Sequence, residues 1–331
     1  MSLYCTTYHS LISTLMQSVF SVPNAKLISM CIHDSYSVIS LVGGRTAVVV
    51  SYNTRFNTVQ RIIDEHPCES FICCEFLVLK KQLFLAVAGK LGIIKLLNLS
   101  KGMFASYIDA HGASIVSIKC IRNQYLFSCS EDTTIKMWNI NQLRLVCTFG
   151  GYMGHKDYVL SMDVSADIQY LASTSTDCTI RVWRIPLSCD CNDFVTPLHT
   201  IRNIHGSFIP CVKFYGRLIL SSSAPNIISA ILPKYTCDEG NACTDTAFVG
   251  DIKLDDQILR GFKVHNNTLF TITASKQILA FGMKNTGPYA TPNVIGTFNK
   301  GVVKDFCIAN NRMFILFDDS SVTAIDLSKY A

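Results

Sequence analysis

Runs of alternating apolar and polar residues recur along the chain, each strand-length and each followed by a polar turn. The stretch from Asn123 to Ile140, NQYLFSCSEDTTIKMWNI, parallels that from Ile168 to Ile185, IQYLASTSTDCTIRVWRI. In both, a short apolar run meets a turn carrying aspartate, and a second alternating run ends near tryptophan. A period of two puts successive side chains on opposite faces of a strand. Each stretch therefore predicts two antiparallel strands joined by a tight turn. Weaker copies start at Tyr36, Gln82, Arg217, Thr268 and Arg312.

The hairpin turns are expected near Gly44, Lys90, Asp132, Asp177, Pro225, Ser275 and Asp318, at spacings of 46, 42, 45, 48, 50 and 43 residues. A period of ~40–45 residues is that of a propeller blade. Runs such as IVSIKCI and YVLSMDV supply an inner strand before the hairpin, and LRLVCTF a more polar fourth strand after it. The expected fold is all-β, a seven-bladed WD40 β-propeller. Its blades are expected at about residues 26–53, 68–99, 111–149, 154–185, 205–233, 257–284 and 300–328 of a propeller spanning 26–331. Residues 1–25 form an N-terminal segment, in which Ser13 to Phe20 is expected to complete the last blade. The Cys/Asn/Asp/Pro-rich stretches Pro186 to Ile204 and Lys234 to Asp251 read as connections between blades.

Composition narrows the function classes. The chain is 49% hydrophobic and 16% charged, which suits a packed core. Its net charge of +5 comes without a block of like charge, so direct sequence-specific nucleic-acid binding is not expected. No apolar window reaches ~18 residues, so no membrane partner is expected either. The 15 cysteines include no C-x-x-C pair, and reduced thiols are the simplest reading. Cys189, Cys191 and His199 in one connection come nearest to a metal set, yet no metal and no cofactor is expected.

The stretch FGGYMGHKDYVLSMD, from Phe149 to Asp163, raises the question of chemistry. His155, Asp177, Trp183 and a strand serine, Ser173 or Ser175, fall in one unit, and His111, Asp132 and Trp138 recur in the unit before. Serine, histidine and aspartate suggest a hydrolase triad. Their duplication in two blades points instead to a structural tetrad that ties each turn to its strands. The buried indole N–H needs an acceptor, and a hydroxyl supplies one. No G-x-S-x-G, Walker loop or H-E-x-x-H occurs, and Gly150-Gly151 does not open a helix. The chain is therefore expected not to be an enzyme.

Within the WD40 proteins, FGGYMGHKDYVLSMDVSADIQYLASTSTDCTIRVWRI resembles the corresponding blade of the Polycomb-group family called embryonic ectoderm development or extra sex combs (EED/ESC). Leu83 to Asn98 and Ile201 to Pro233 are similar to that family's second and fifth blades, and Gln60 to Phe76 to its approach to blade two. The resemblance implies a nuclear, non-catalytic subunit of Polycomb repressive complex 2. Such a subunit grips a helix of the SET-domain histone methyltransferase on one propeller face and meets other Polycomb subunits. On its other face an aromatic cage reads trimethyl-lysine of histone tails, including the histone H3 tail. The family's cage positions fall here on Ile28, Ile72, Leu259 and its neighbour Ile258, none of them aromatic. Ring quadrupoles hold a trimethylammonium and aliphatic groups do not, so methyl-lysine reading is expected to be lost or weakened. Phe71, Phe262 and Phe208 are the nearest alternative wall residues. A WD40 adaptor of another nuclear or cytoplasmic complex is the alternative role.

Overall fold

The computed structural model describes residues 16–53, 55–186, 194–223, 226–233, 246–256, 258–283, 292–298 and 301–328. The expected turn at Pro225 and the pair Cys189 and Cys191 lie outside them.

The first strands in chain order are β1 (Met16–Ser21), β2 (Ser29–His33), β3 (Val38–Gly43), β4 (Thr46–Ser51) and β5 (Asn57–Ile63). Next come β6 (Phe71–Leu79), β7 (Gln82–Gly89), β8 (Ile93–Asn98) and β9 (Met103–Asp109). The following group is β10 (Ile115–Ile121), β11 (Tyr125–Ser130), β12 (Ile135–Asn139) and β13 (Arg144–Phe149). After it come β14 (Val159–Val164), β15 (Tyr170–Ser175), β16 (Ile180–Arg184), β17 (Phe194–Val195) and β18 (His199–Ile201). The fifth blade holds β19 (Cys211–Tyr215), β20 (Leu218–Ser223), β21 (Ile227–Pro233) and β22 (Thr246–Lys253). The last two hold β23 (Ile258–His265), β24 (Thr268–Thr273), β25 (Gln277–Gly282), β26 (Asn293–Thr297), β27 (Val303–Ala309), β28 (Arg312–Phe317) and β29 (Ser321–Asp326).

These strands make seven sheets, six of four strands and one of five. In each sheet four strands pair antiparallel, with β17 added parallel to β13 in the five-stranded one, so the chain has the seven-bladed β-propeller fold. The contacts group the blades into two units. Residues 68–255 hold blades two to five, and residues 1–67 with 256–331 hold blades one, six and seven. In the second of these, β1 pairs antiparallel with β29, so blade seven draws on both ends of the chain. The fourth strands β5, β9, β18, β22 and β26 begin beyond the sequence-derived ranges of their blades, because connections of varied length precede them.

Burial explains the strand pattern. The middle strands carry long apolar runs because both faces are covered, as in β3, where every residue is buried. The outer strands face solvent and alternate, as β5 does. The core lies between neighbouring sheets. Cys73, Leu77, Ala86 and Leu96 of blade two pack on Ile115, Ile118, Leu126 and Trp138 of blade three. Phe127, Met137 and Phe149 of blade three pack on Met162, Leu171 and Trp183 of blade four in the same way. Within the other unit, Leu41, Val48 and Val50 meet Phe314, Leu316 and Val322.

The turns between first and second strands follow backbone rules. Lys80-Lys81, Arg122-Asn123, Asn266-Asn267 and Asn310-Asn311 all have positive φ at both positions. Two left-handed residues make the type I′ turn whose twist suits antiparallel strands, and asparagine tolerates it best among residues with a side chain.

Candidate functional site

Blade four holds one histidine-centred network and blade three its twin. In blade four His155 Nε2 lies 2.8 Å from Ser173 Oγ, and Nδ1 lies 3.0 Å from Asp177 Oδ2. Trp183 Nε1 donates to the same serine oxygen at 2.8 Å. In blade three the corresponding distances are 2.7 Å from His111 to Ser128, 2.8 Å from His111 to Asp132, and 3.0 Å from Trp138 to Ser128. The donors fix one direction of bonding. The indole N–H donates to the serine oxygen, the serine O–H to Nε2, and Nδ1–H to the carboxylate.

This is the bonding order of a catalytic triad, but the nucleophile is sealed. Ser128 and Ser173 are fully buried, and each hydroxyl oxygen already accepts an indole proton. An attacking oxygen must reach a substrate carbon, and neither does. The arrangement instead fixes the turn. Asp132 Oδ1 accepts from Thr134 N at 3.0 Å and Thr134 Oγ1 at 2.7 Å, and Asp177 Oδ1 does the same for Thr179. Ser175 has a different task from Ser173. It donates to Asp157 O and accepts from Asp177 N, closing the loop onto the turn.

The electrostatics agree with this order. Burial pushes the Asp132 carboxyl upward, but the His111 hydrogen bond and charge and the Thr134 donors outweigh it, leaving the pKa lowered to about 2. Asp177 is lowered for the same reasons, with His155, Thr179 and the Lys156 N–H overcoming burial. Burial also lowers the pKa of His155, against the partial opposition of Asp177, and so keeps the ring neutral and its Nε2 an acceptor.

Three other side-chain systems complete these blades. The first repeats on the third strands: Lys95, Lys136 and Arg181 stand at one register, opposite Val87, Ser128 and Ser173. Each reaches back to the connection before its blade. Lys95 pairs with buried Glu69 at 3.2 Å, Lys136 donates to Ala110 O at 2.6 Å, and Arg181 donates to Met153 O. The second system runs along the first strands, where Glu75, Lys119, Asp163 and Lys213 share a register and alternate in sign. Asp163 takes Lys119 and Lys213 on Oδ1 and the Phe214 N–H on Oδ2. Burial raises its pKa, yet the two ammonium groups and that N–H overcome it and hold it ionised.

The third system is an incomplete network in blade five. His205 Nε2 lies 2.8 Å from Ser221 Oγ, but Ile231 stands at the tryptophan register and Pro225 four residues after the serine. His205 Nδ1 is buried with no hydrogen-bond partner among the described residues.

The residues that the resemblance assigns to the cage positions are partly buried where their side chains are described. Ile28 precedes β2 and bonds Val42 O through its backbone, Ile72 lies at a bulge of β6, and Ile258 opens β23 opposite Thr273. Leu259 follows it, opposite Ile272. Phe71 and Phe262 are fully buried, so neither ring presents a face to solvent, whereas Phe208 is exposed. His199 lies buried in β18.

Sequence reasoning singles out the histidine, aspartate and tryptophan of both networks and leaves Ser173 or Ser175 open. It misses Ser128, the threonines and the cations. Their signal is one of register: a serine ten residues before each tryptophan, and a cation two residues before it in TIKMW and TIRVW.

The WD domain, G-beta repeat family model matches residues 104–139 and 144–184, the span that holds both networks. The Polycomb protein esc of Drosophila virilis is 30% identical over 191 residues, covering 50% of this chain and 44% of that protein. Polycomb group protein FIE2 of Zea mays is 28% identical over 223 residues, covering 60% and 58%. The chain thus spans about half the length of the curated relatives it matches. A chain in the crystal structure of the Chaetomium thermophilum polycomb repressive complex 2 aligns with a TM-score of 0.77 at 14% identity, covering 94% of this chain and 97% of that one. At that identity the likeness speaks for the fold, and the relation rests on the sequence matches. With its repeats and seven sheets, the chain is a WD40-type β-propeller that is similar in sequence to the Polycomb proteins esc and FIE2.

Proposed function

We propose that this protein is a non-catalytic scaffold subunit of a Polycomb repressive complex 2-like histone H3 lysine methyltransferase. In this reading it works in the nucleus, holds the SET-domain catalytic subunit for transcriptional repression, and has lost or weakened methyl-lysine reading. The sequence likeness to the Polycomb proteins esc and FIE2 carries the first part. The sealed serines support the absence of catalysis, because the nearest approach to a triad has no open nucleophile.

Lost reading rests on the family resemblance, which assigns the cage positions to Ile28, Ile72, Ile258 and Leu259, none of them aromatic. A cation over an aromatic face gains about 0.5–2 kcal/mol per favourable pair, and aliphatic carbon supplies no such attraction. Two measurements test the reading. Co-expression with a SET-domain methyltransferase should yield a complex that survives gel filtration; clean separation of the two would sink the scaffold role. Calorimetric titration with histone H3 tail peptides should show equal, weak responses with and without the trimethyl group. A tenfold preference for the methylated peptide would restore the reader function.

A further inference from the structure

Charge is spread unevenly over blades two and three. Residues 68–149 hold five carboxylates: Glu69, Glu75, Asp109, Glu131 and Asp132. Glu75 lies within β6. The other four stand at the strand ends on the side of Ile72, in the connection before β6, at the end of β9 and in the β11–β12 turn. The opposite ends, where first strands turn into second and third into fourth, carry no carboxylate in these two blades. They carry Lys80, Lys81 and Lys101 in blade two and Arg122 and Arg144 in blade three, all exposed. Among the described residues of the next two blades, these ends add one carboxylate, Asp167, against the exposed Arg184 and Arg217.

The fold brings these turns together. Val78 N donates to Asn123 Oδ1 at 2.9 Å, joining the end of β6 in blade two to the β10–β11 turn of blade three. Leu99 N donates to Leu83 O at 3.2 Å and Ile140 N to Gln124 O at 2.9 Å, so the two turns of each blade are tied to one another. Four turns far apart in the chain thus build one basic face, and no run of like charge announces it in the sequence. Backbone geometry does not select these cations. Lys80, Lys81 and Arg122 adopt φ of 47, 64 and 52, and blades six and seven fill the same turn with the asparagine pairs that suit it. Strain kept at a surface turn points to a use for the side chains that bear it.

The occupant follows from what the face offers. Beside the five cations it presents the exposed amides of Gln124, Asn141 and Gln142. The four turns hold no aromatic residue, and Leu143 is their one large apolar side chain exposed to solvent. Protein partners anchor on aromatic and apolar groups in pockets, and single-stranded nucleic acid stacks its bases on aromatic side chains. A duplex phosphate backbone needs neither. It carries a negative charge on every phosphate, and cations and amide donors meet it without reading sequence. We propose that the turns at this end of blades two and three bind the phosphate backbone of duplex DNA, with Lys80, Lys81, Lys101, Arg122 and Arg144 facing its phosphates. The surface lies at the opposite strand ends from Ile72, and the proposal does not rest on the scaffold reading.

Fluorescence anisotropy of the full chain with a short labelled DNA duplex of arbitrary sequence tests it. Affinity should fall with salt at a log–log slope of about −4, as five cations displacing counterions require. Lys81→Glu and Arg122→Glu should each weaken binding about fivefold or more, whereas Lys90→Glu, the same charge change in the β7–β8 turn, should stay within about twofold of wild type. Lys81→Asn should also weaken binding while the thermal midpoint holds or rises, because asparagine suits the turn. That result separates a lost phosphate contact from a damaged fold. Equal losses in Lys81→Glu and Lys90→Glu, a slope near zero, or no binding overturns the proposal. So does tighter binding of single-stranded RNA than of the duplex. Equal competition by polyglutamate overturns it too, since an acidic protein segment would then be the occupant.

Discussion

Blades four and five are neighbours in one unit, yet they hold their turns by different means. Blade four closes a full network through His155, Ser173, Asp177 and Trp183. Blade five keeps only His205 and Ser221, with Ile231 buried against Ile219 where blade four has Trp183 against Leu171. Both sheets have the same order and antiparallel registers. The network is therefore an addition to the blade and not a condition for it. Apolar packing between sheets specifies the architecture, and the buried polar chain adds local rigidity where the turn must be held. The loop that carries Tyr152 lies against the fully networked blade, tied to it by Arg181 and Lys156 N.

The largest way to break this comparison is Trp183→Ala. It removes a fully buried indole that packs on Phe149 at 5.8 Å between ring centroids. Phe/Trp→Ala changes in cores cost about 3–5 kcal/mol. Urea unfolding should show a loss of that size, and a shift below about 1 kcal/mol would mean that the blade does not depend on the residue.

Ser173→Ala against Ser221→Ala sharpens it. The first leaves both the indole N–H and His155 Nε2 unpaired, and the second only His205 Nε2. Each buried orphan costs about 1–3 kcal/mol, so the blade-four variant should lose clearly more. Equal losses would mean that the indole bond contributes nothing.

The third prediction concerns pH in blade three. Asp132, at about 2, sits below its ordinary value of 3.8. A lowered carboxyl stabilises the fold above the unfolded value, and that stability drains away as pH falls through the folded one. For a side chain 21% exposed, the gain is about 1–2 kcal/mol after allowance for solvent screening. Asp132→Asn should therefore destabilise at pH 7, with the gap to wild type narrowing between pH 4 and pH 2. Histidine acts in the same direction. His155 is lowered by burial, so acidification below its unfolded value of 6.5 also weakens the fold. A gap constant from pH 7 to pH 2 would remove the ionised carboxylate from the account.

The blades are legible in the sequence because apolar alternation is local and repeats. The histidines, aspartates and tryptophans of blades three and four are legible because their spacing repeats once. Ser128 is not, since it is one of several small polar residues in YLFSCSE, and only the fold shows which of them meets Trp138. The pairing of β17 is also hidden. Two residues, Phe194 and Val195, run parallel to Thr148 and Phe149 and widen blade three by a strand. A two-residue pairing carries no period, and its partner lies more than forty residues away. The first-strand charges escape notice for the same reason, because Asp163 meets Lys119 and Lys213 only through neighbouring sheets.

The smallest effect compares two left-handed glycines, Gly151 before blade four and Gly216 in blade five. Their φ values are +73 and +57. A side chain in that region costs about 1 kcal/mol in either place. Space then separates them. Around Gly216 nothing lies within 4 Å of an added Cβ, so Gly216→Asn brings little beyond a strain that asparagine largely tolerates. At Gly151 the added carbon meets the Phe194 ring at 3.3–3.6 Å, and the ring must give way. Gly151→Ala should therefore lower the thermal midpoint by a few degrees and shift the Phe194 environment, while Gly216→Asn should move it by less than about one degree. If both variants behaved alike, the loop before blade four would be no more tightly specified than an ordinary turn.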